Sequence, residues 1–324
     1  MSQIGTENHS QYDGRMRTWI FVLVAVAAVA AAGCDADEPG VGDSELTVVA
    51  TTTQGADLVR QVGGNRVDVE GMLSPGGDPH DYEPRPSDVE AVAKAAVVFR
   101  SGGEVDHWLG GVIDNAGGDA EVVSLIDSVD RLDDDPHWWQ DPRNAIRAVQ
   151  TIRAELSMAD PDDRPTYAEN AARVIRTLHG LDRTISDCIE RVPSAQRKIV
   201  TTHDSLGYFA RRYGVEVVGA VIPSLSTQAQ ASAGDVQRLV EQIRLEGVAT
   251  VFPESSVNPD IERAIAREAG ARVGDPLFAD SLGPEGSPGE TYAGALAADA
   301  AALVRGMSGG RVACDAALAE AGRF

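Results

Sequence analysis

The chain reads as an α/β protein of two lobes, each a mainly parallel sheet flanked by helices, joined by one long rigid helix. Three observations predict this. Short runs rich in Val and Ile alternate with helical patterns in two separate series, and such alternation favours a parallel sheet covered on both faces. Between the two series lies a single apolar stripe, too long for an ordinary helix. The 324 residues also suffice for two cores of ordinary size.

The first lobe (residues 45–160) opens with "LTVVATT" as a strand, "GADLVRQVGG" as a helix and "VDVEGML" as a strand. A Gly- and Pro-rich turn leads to "PSDVEAVAKA" as a helix and "AAVVFRSG" as a strand, then "VDHWLGGVIDNAG" as a helix and "AEVVSLI" as a strand. "PRNAIRAVQTIRAELSMAD" closes the lobe as a helix, with Pro142 in its first turn, where a missing N–H costs nothing. Residues 161–193 form the joining helix. Tyr167, Ala171, Val174, Leu178, Leu181, Ile185, Cys188 and Val192 recur at alternating steps of four and three, which puts them on one helical face. At ~1.5 Å per residue the stripe runs about 39 Å, enough to span two lobes. A connection of that kind predicts modest lobe movement, not a wide hinge. In the second lobe (194–324) the strands are "RKIVTT", "VEVVGA", "VATVF" and "ARV". Its helices are "SLGYFARRYG", "AGDVQRLVEQIRLEG" and "NPDIERAIAREAG", the last capped by Asn258 with Pro259 at its first position.

The N-terminus has the shape of an export signal. Arg15 and Arg17 precede an apolar run from Trp19 to Ala32, which is short for a membrane span and ends in Gly33-Cys34. Residues 1–33 are therefore expected to be a signal peptide, with Met16 a candidate start. The small residues before Cys34 resemble the bacterial lipoprotein cleavage box, which implies a lipidated Cys34 as the first mature residue. A plain signal peptide cut near Gly33 is the alternative. Residues 34–44 are polar with Gly and Pro, and suit a flexible tether. Cys188 and Cys314 then remain, an even count that permits one disulfide in an exported protein, two unpaired thiols being the alternative.

A net charge of −22 argues against nucleic acid as a partner and fits a body that attracts cations. Of the six histidines, His9 precedes the signal, while His107 and His179 fall in helical patterns that suit surface positions. The other three stand in loops beyond strands or at Pro-bounded turns, the edge where open α/β sheets bind ligands. "GDPHDYEPRPSD" contains His80, "DDPHWWQD" contains His137, and "IVTTHDSLGYFARRYG" contains His203. The doubled Asp-Pro-His reads as chance, as a repeat, or as two halves of one site. Asp280, in the Gly/Pro-rich loop after "ARV", is a fourth candidate. Three imidazoles and a carboxylate suffice to hold Zn²⁺, although no short local zinc motif is present.

Taken together, "SPGGDPHDYEPRPSDVEAVAKAAVVFRSG", "DDPHWWQDPRNA", "IVTTHDSLGYFARRYGVEVVG", "VFPESSVNP" and "DPLFADSLG" resemble the periplasmic metal-binding proteins of zinc and manganese ABC importers. The resemblance extends from about Glu45 to about Ala302. It implies four metal ligands, His80, His137, His203 and Asp280, in the cleft between the lobes. It also implies Zn²⁺ as the metal, because His at position 203 looks like the zinc type and Glu there like the Mn²⁺ type; imidazole suits Zn²⁺ and carboxylate suits Mn²⁺. The function expected is that of an extracytoplasmic, lipid-anchored receptor that captures Zn²⁺ and delivers it to a membrane permease and its ATPase. The resemblance further implies a monomer that touches the membrane only through its anchor, with a periplasmic metallochaperone as a further partner. Alternatives are a manganese receptor, a lipid-anchored adhesin or metallochaperone of the same fold, and a zinc hydrolase with Glu254 as base. The hydrolase is disfavoured because four protein ligands leave no open coordination position.

Overall fold

The structure, a computed structural model, describes residues 46–323. The expected signal peptide, Cys34, the tether and His9 lie outside the described residues.

The chain begins with β1 (Leu46–Ala50), α1 (Thr53–Gly63), β2 (Val67–Gly71), α2 (Pro86–Lys94), β3 (Val97–Arg100), α3 (Leu109–Ala116), β4 (Glu121–Ser124) and α4 (Pro142–Ala159). It continues through α5 (Arg164–Glu190) into β5 (Lys198–His203), α6 (Gly207–Tyr213), β6 (Glu216–Ile222), α7 (Ala233–Glu246), β7 (Thr250–Phe252), α8 (Asp260–Ala269) and β8 (Arg272–Val273). Two helices follow, α9 (Tyr292–Ser308) and α10 (Asp315–Ala321). The first four strands pair in parallel in the order β2-β1-β3-β4, and the last four in the order β6-β5-β7-β8. Each sheet reverses its winding beside its first strand, between β1 and β3 and between β5 and β7. In open parallel sheets such a point opens a crevice at the carboxyl ends of the strands.

Alternation along the strands divides the cores. Val48 faces the core shared with α5, whereas Val49 faces a smaller cluster with Ala91, Val92 and Val98 under α2 and α3. Ile199 and Val200 make the same division in the second lobe, Ile199 joining the shared core and Val200 a cluster with Leu239, Val240 and Ile243. The shared core is continuous through both lobes, and α5 is its spine. Tyr167, Ala171, Val174, Leu178, Leu181, Ile185 and Cys188 are buried along one face of that 27-residue helix. Each buried Val, Leu or Ile contributes roughly 1.5–3 kcal/mol, so the stripe binds α5 to both lobes. Cys188 on α5 is bonded to Cys314 just before α10, with Cα atoms 6.1 Å apart.

Two details differ from the sequence reading. Helix α8 begins at Asp260, with Pro259 in the capping position. Asn258 still satisfies the first turn, its side chain accepting a bond from the Asp260 N–H at 3.2 Å. Helix α9 carries no polar/apolar stripe. Its "YAGALAADAAALV" is buried nearly all round, because it packs against α5 and α1 as well as under the second sheet.

Candidate metal centre

The two Asp-Pro-His tripeptides fold by the same local chemistry. In the first, a 3-10 turn starts at Pro79 and the Asp78 carboxylate accepts the His80 N–H at 2.9 Å. In the second, the Asp135 carboxylate accepts the His137 N–H, also at 2.9 Å. Pro fixes φ between the two residues and the Asp caps the bend. A third Asp-Pro pair, Asp141-Pro142, has no His after it and caps α4 instead, through Asp141 and the Arg143 N–H at 2.9 Å.

The second tripeptide makes an additional bond. Asp135 Oδ1 also accepts from His137 Nδ1 at 2.7 Å, an orientation that turns Nε2 inward. A tight turn with Asp133 at φ 45° brings Asp135 into position. Asp, unlike most residues, tolerates that left-handed backbone. Gly207 at the start of α6 lets Asp135 sit close, since a Cβ there would lie 2.6 Å from Asp135 Oδ2.

His203 is the last residue of β5, at the carboxyl end of the central strand. Glu254, just beyond β7, accepts both the His203 backbone N–H at 3.2 Å and Nδ1 at 2.7 Å. Glu254 therefore orients the imidazole, and is not the free base that a hydrolase would need.

Asp280 stands in the loop after β8, held mostly by first-lobe hydrogen-bond partners. Trp139 Nε1 and Gln140 Nε2 both donate to the Ala279 carbonyl, at 2.7 and 2.9 Å. Thr53 Oγ1 accepts the Leu282 N–H at 2.9 Å. From its own lobe, Asp299 accepts the Phe278 N–H at 2.8 Å. Across the mouth, Thr227 Oγ1 donates to Asp78 Oδ2 at 2.6 Å. The lobes are thus closed over the site by polar bonds as well as by the shared core.

The structure brings together the four residues singled out in the sequence. His80, His137, His203 and Asp280 are all buried, and one ligand atom from each lies within 4.8 Å of all the others. His80 Nε2 is 3.4 Å from His137 Nε2, which is 3.2 Å from His203 Nε2. Asp280 Oδ2 lies 3.3 Å from His80 Nε2 and 3.2 Å from His203 Nε2, and Oδ1 lies 3.6 Å from His137 Nε2. Neither Asp280 oxygen has a hydrogen-bond partner that satisfies both distance and angle. A buried carboxylate in that condition is costly unless a cation sits before it. His107 and His179 are exposed, as expected for surface residues.

The charges are coupled. Burial alone would keep His203 neutral, but the Asp280 and Glu254 carboxylates on either side raise its pKa well above 6.5. Burial would raise Asp280, but the His203 and His137 imidazoles hold it well below 3.8. In the metal-free protein a proton on His203 balances Asp280, and an incoming cation must displace it.

Asp78, Asp135, Trp139 and Gln140 were not assigned roles from the sequence. The Asp-Pro-His motif itself carried the signal for the two aspartates; nothing local marks the other two.

Known proteins resemble this chain over most of its length. The family profile described as "ZnuA: Zinc-uptake complex component A periplasmic" matches residues 48–306. The manganese-binding lipoprotein MntA of Halalkalibacterium halodurans is 31% identical over 296 residues, covering 89% of this chain and 97% of its own. MntA of Bacillus subtilis is 31% identical over 294 residues, covering 86% and 95%. The periplasmic zinc-binding protein TroA from Treponema pallidum superposes with a TM-score of 0.77 at 27% identity, covering 82% of this chain and 99% of TroA. The chain belongs to the ZnuA family, as the periplasmic substrate-binding protein of a metal ABC importer, a solute-binding receptor and not an enzyme.

Proposed function

We propose that this receptor captures Zn²⁺ between its lobes on His80, His137, His203 and Asp280 and delivers it to the permease and ATPase of its importer. The observation that carries the reading is the spacing of the donors. Ligands about 2.05 Å from a tetrahedral zinc lie about 3.3 Å from one another. Among His80, His137 and His203 Nε2 and Asp280 Oδ2, four of the six pairs lie 3.2 to 3.4 Å apart, and one ligand atom from each residue lies within 4.8 Å of all the others. Two ligands come from each lobe, so the ion is enclosed only when the lobes meet. Three imidazoles and one carboxylate favour Zn²⁺ over harder cations.

Manganese is the second reading. Both Asp280 oxygens face the donors, so a chelating carboxylate would raise the coordination number, and both MntA relatives are named manganese-binding. The rest of the proposal concerns placement: a signal peptide over 1–33, lipid on Cys34, a tether to residue 44, and lobes over 45–160 and 194–324 joined through 161–193. Metal content by mass spectrometry tests the reading, on the mature chain purified without chelator and on His203→Ala. One equivalent of zinc, sharply reduced in the variant, supports it. Manganese overturns the choice of metal. No metal even after zinc is added back overturns the site.

A further inference from the structure

The three imidazoles are not held alike. His137 and His203 each donate Nδ1–H to a buried carboxylate of their own lobe, at 2.7 Å in both cases. Among the described residues no group accepts from His80 Nδ1. His80 is also 3% exposed where the other two are at 0%, so it forms the rim of the site. Outside the ligand set it is fixed through its backbone, by the Asp78 carboxylate at 2.9 Å and by Pro79, whose carbonyl accepts from Trp108 Nε1 at 3.2 Å. The second oxygen of Asp78 is taken by Thr227, 149 residues away in the other lobe. Thr227 lies in the segment between β6 and α7. The base of that segment is tied to the β5–α6 loop, the Ser224 carbonyl accepting from the Asp204 N–H at 3.0 Å. Beyond it the segment is tied to itself: Ser226 N–H to Ser224 Oγ at 3.1 Å, Gln228 N–H to Ser226 Oγ at 3.3 Å, and Ala229 N–H to the Ser226 carbonyl at 3.4 Å. The part beyond Ser224, bonded within itself and across the mouth by one hydroxyl, can lift as a unit hinged at Ser224.

We propose that Thr227 is a positioning residue. By holding Asp78 it keeps the His80 turn against the other ligands, and loss of that bond makes His80 the first ligand to release the metal. The inference rests on the four residues binding a metal, as proposed above. It deepens that reading by assigning an exit. The cation leaves at the His80 rim, and the 225–231 segment sets how fast, while His137, His203 and Asp280 keep their places.

Release of Zn²⁺ into excess chelating dye, followed by stopped flow, tests this on the mature chain with Thr227→Val and Thr227→Ser. All three proteins are first shown to bind one equivalent of zinc and, metal-free, to unfold at the same temperature. Removing one hydrogen bond to a charged group should speed release about tenfold in the Val variant, and the Ser variant, which keeps the hydroxyl, should return to near the parental rate. A Val variant that releases at the parental rate overturns the inference, as does a Ser variant as fast as Val. If the parent binds no zinc, the reading of the site fails first and the inference with it.

Discussion

Replacing Glu254 with Gln tests the link between the lobe framework and the ion most directly. The side chain keeps its shape and can still accept from His203, but its charge is lost. In the parent, Glu254 Oε1 accepts two bonds from His203, at 2.7 and 3.2 Å, in a site closed to water. A charged acceptor contributes roughly 1–2 kcal/mol more than a neutral one. Zinc affinity should therefore fall about 5- to 30-fold, in line with losses seen when such orienting partners are removed. The pH dependence sharpens the test. Glu254 helps hold the competing proton on His203, so its loss weakens that competition too. The gap between parent and variant should be widest at high pH and narrow as pH falls towards 6. Competition with a chelating dye at several pH values measures both. A variant that binds like the parent would refute the reasoning, and so would a gap that widens on acidification.

Because the Asp280 and Glu254 carboxylates favour the protonated form of His203, metal uptake at neutral pH should release protons and affinity should drop as pH falls. Calorimetry in buffers of different ionisation enthalpy would count the protons, and a count of zero contradicts the assignment. Asp299 is buried and its pKa is pushed up to about 8 by that burial. The folded protein thus holds a proton between pH 3.8 and 8 that the unfolded chain has lost. The contribution of Asp299 to stability should be fullest below 3.8 and decline as pH rises to 8, by at most about 6 kcal/mol over those 4.2 units (8 − 3.8). Asp299→Asn should flatten that decline in urea titrations of the metal-free protein, and an unchanged slope would count against it. Opening the Cys188–Cys314 bond with paired Ser substitutions frees a loop with a sequence separation of 126, worth about 5 kcal/mol on chain entropy. Urea midpoints that do not move would show that the bond does not constrain the unfolded chain.

Much of the fold is legible because its signals are local. Val and Ile runs mark the strands, and the four-three spacing from Tyr167 to Cys188 marks α5 residue by residue. Helix α9 is not legible in the same way. Alanines buried on every side give no periodic contrast, and only the tertiary setting explains them. In the site, His80, His137 and His203 stand out because Pro-bounded turns and a strand end present them. Their partners are a different matter. Whether an Asp two residues before a His takes its ring, as Asp135 does, or reaches across to Thr227, as Asp78 does, depends on the residues facing it across the cleft. Gln140 acts on a carbonyl 139 positions away, a link that no local pattern contains.

The division of donors, two from each half of the chain, has a consequence for timing. A chain that has finished only its first half owns His80 and His137 and nothing to complete the cage. A chain threaded unfolded through a translocon owns no cage at all. For a chain exported unfolded, the ion cannot be carried out from the cytosol. It is taken up only on the side where the second half folds, so cargo from that side is the only cargo the receptor can present.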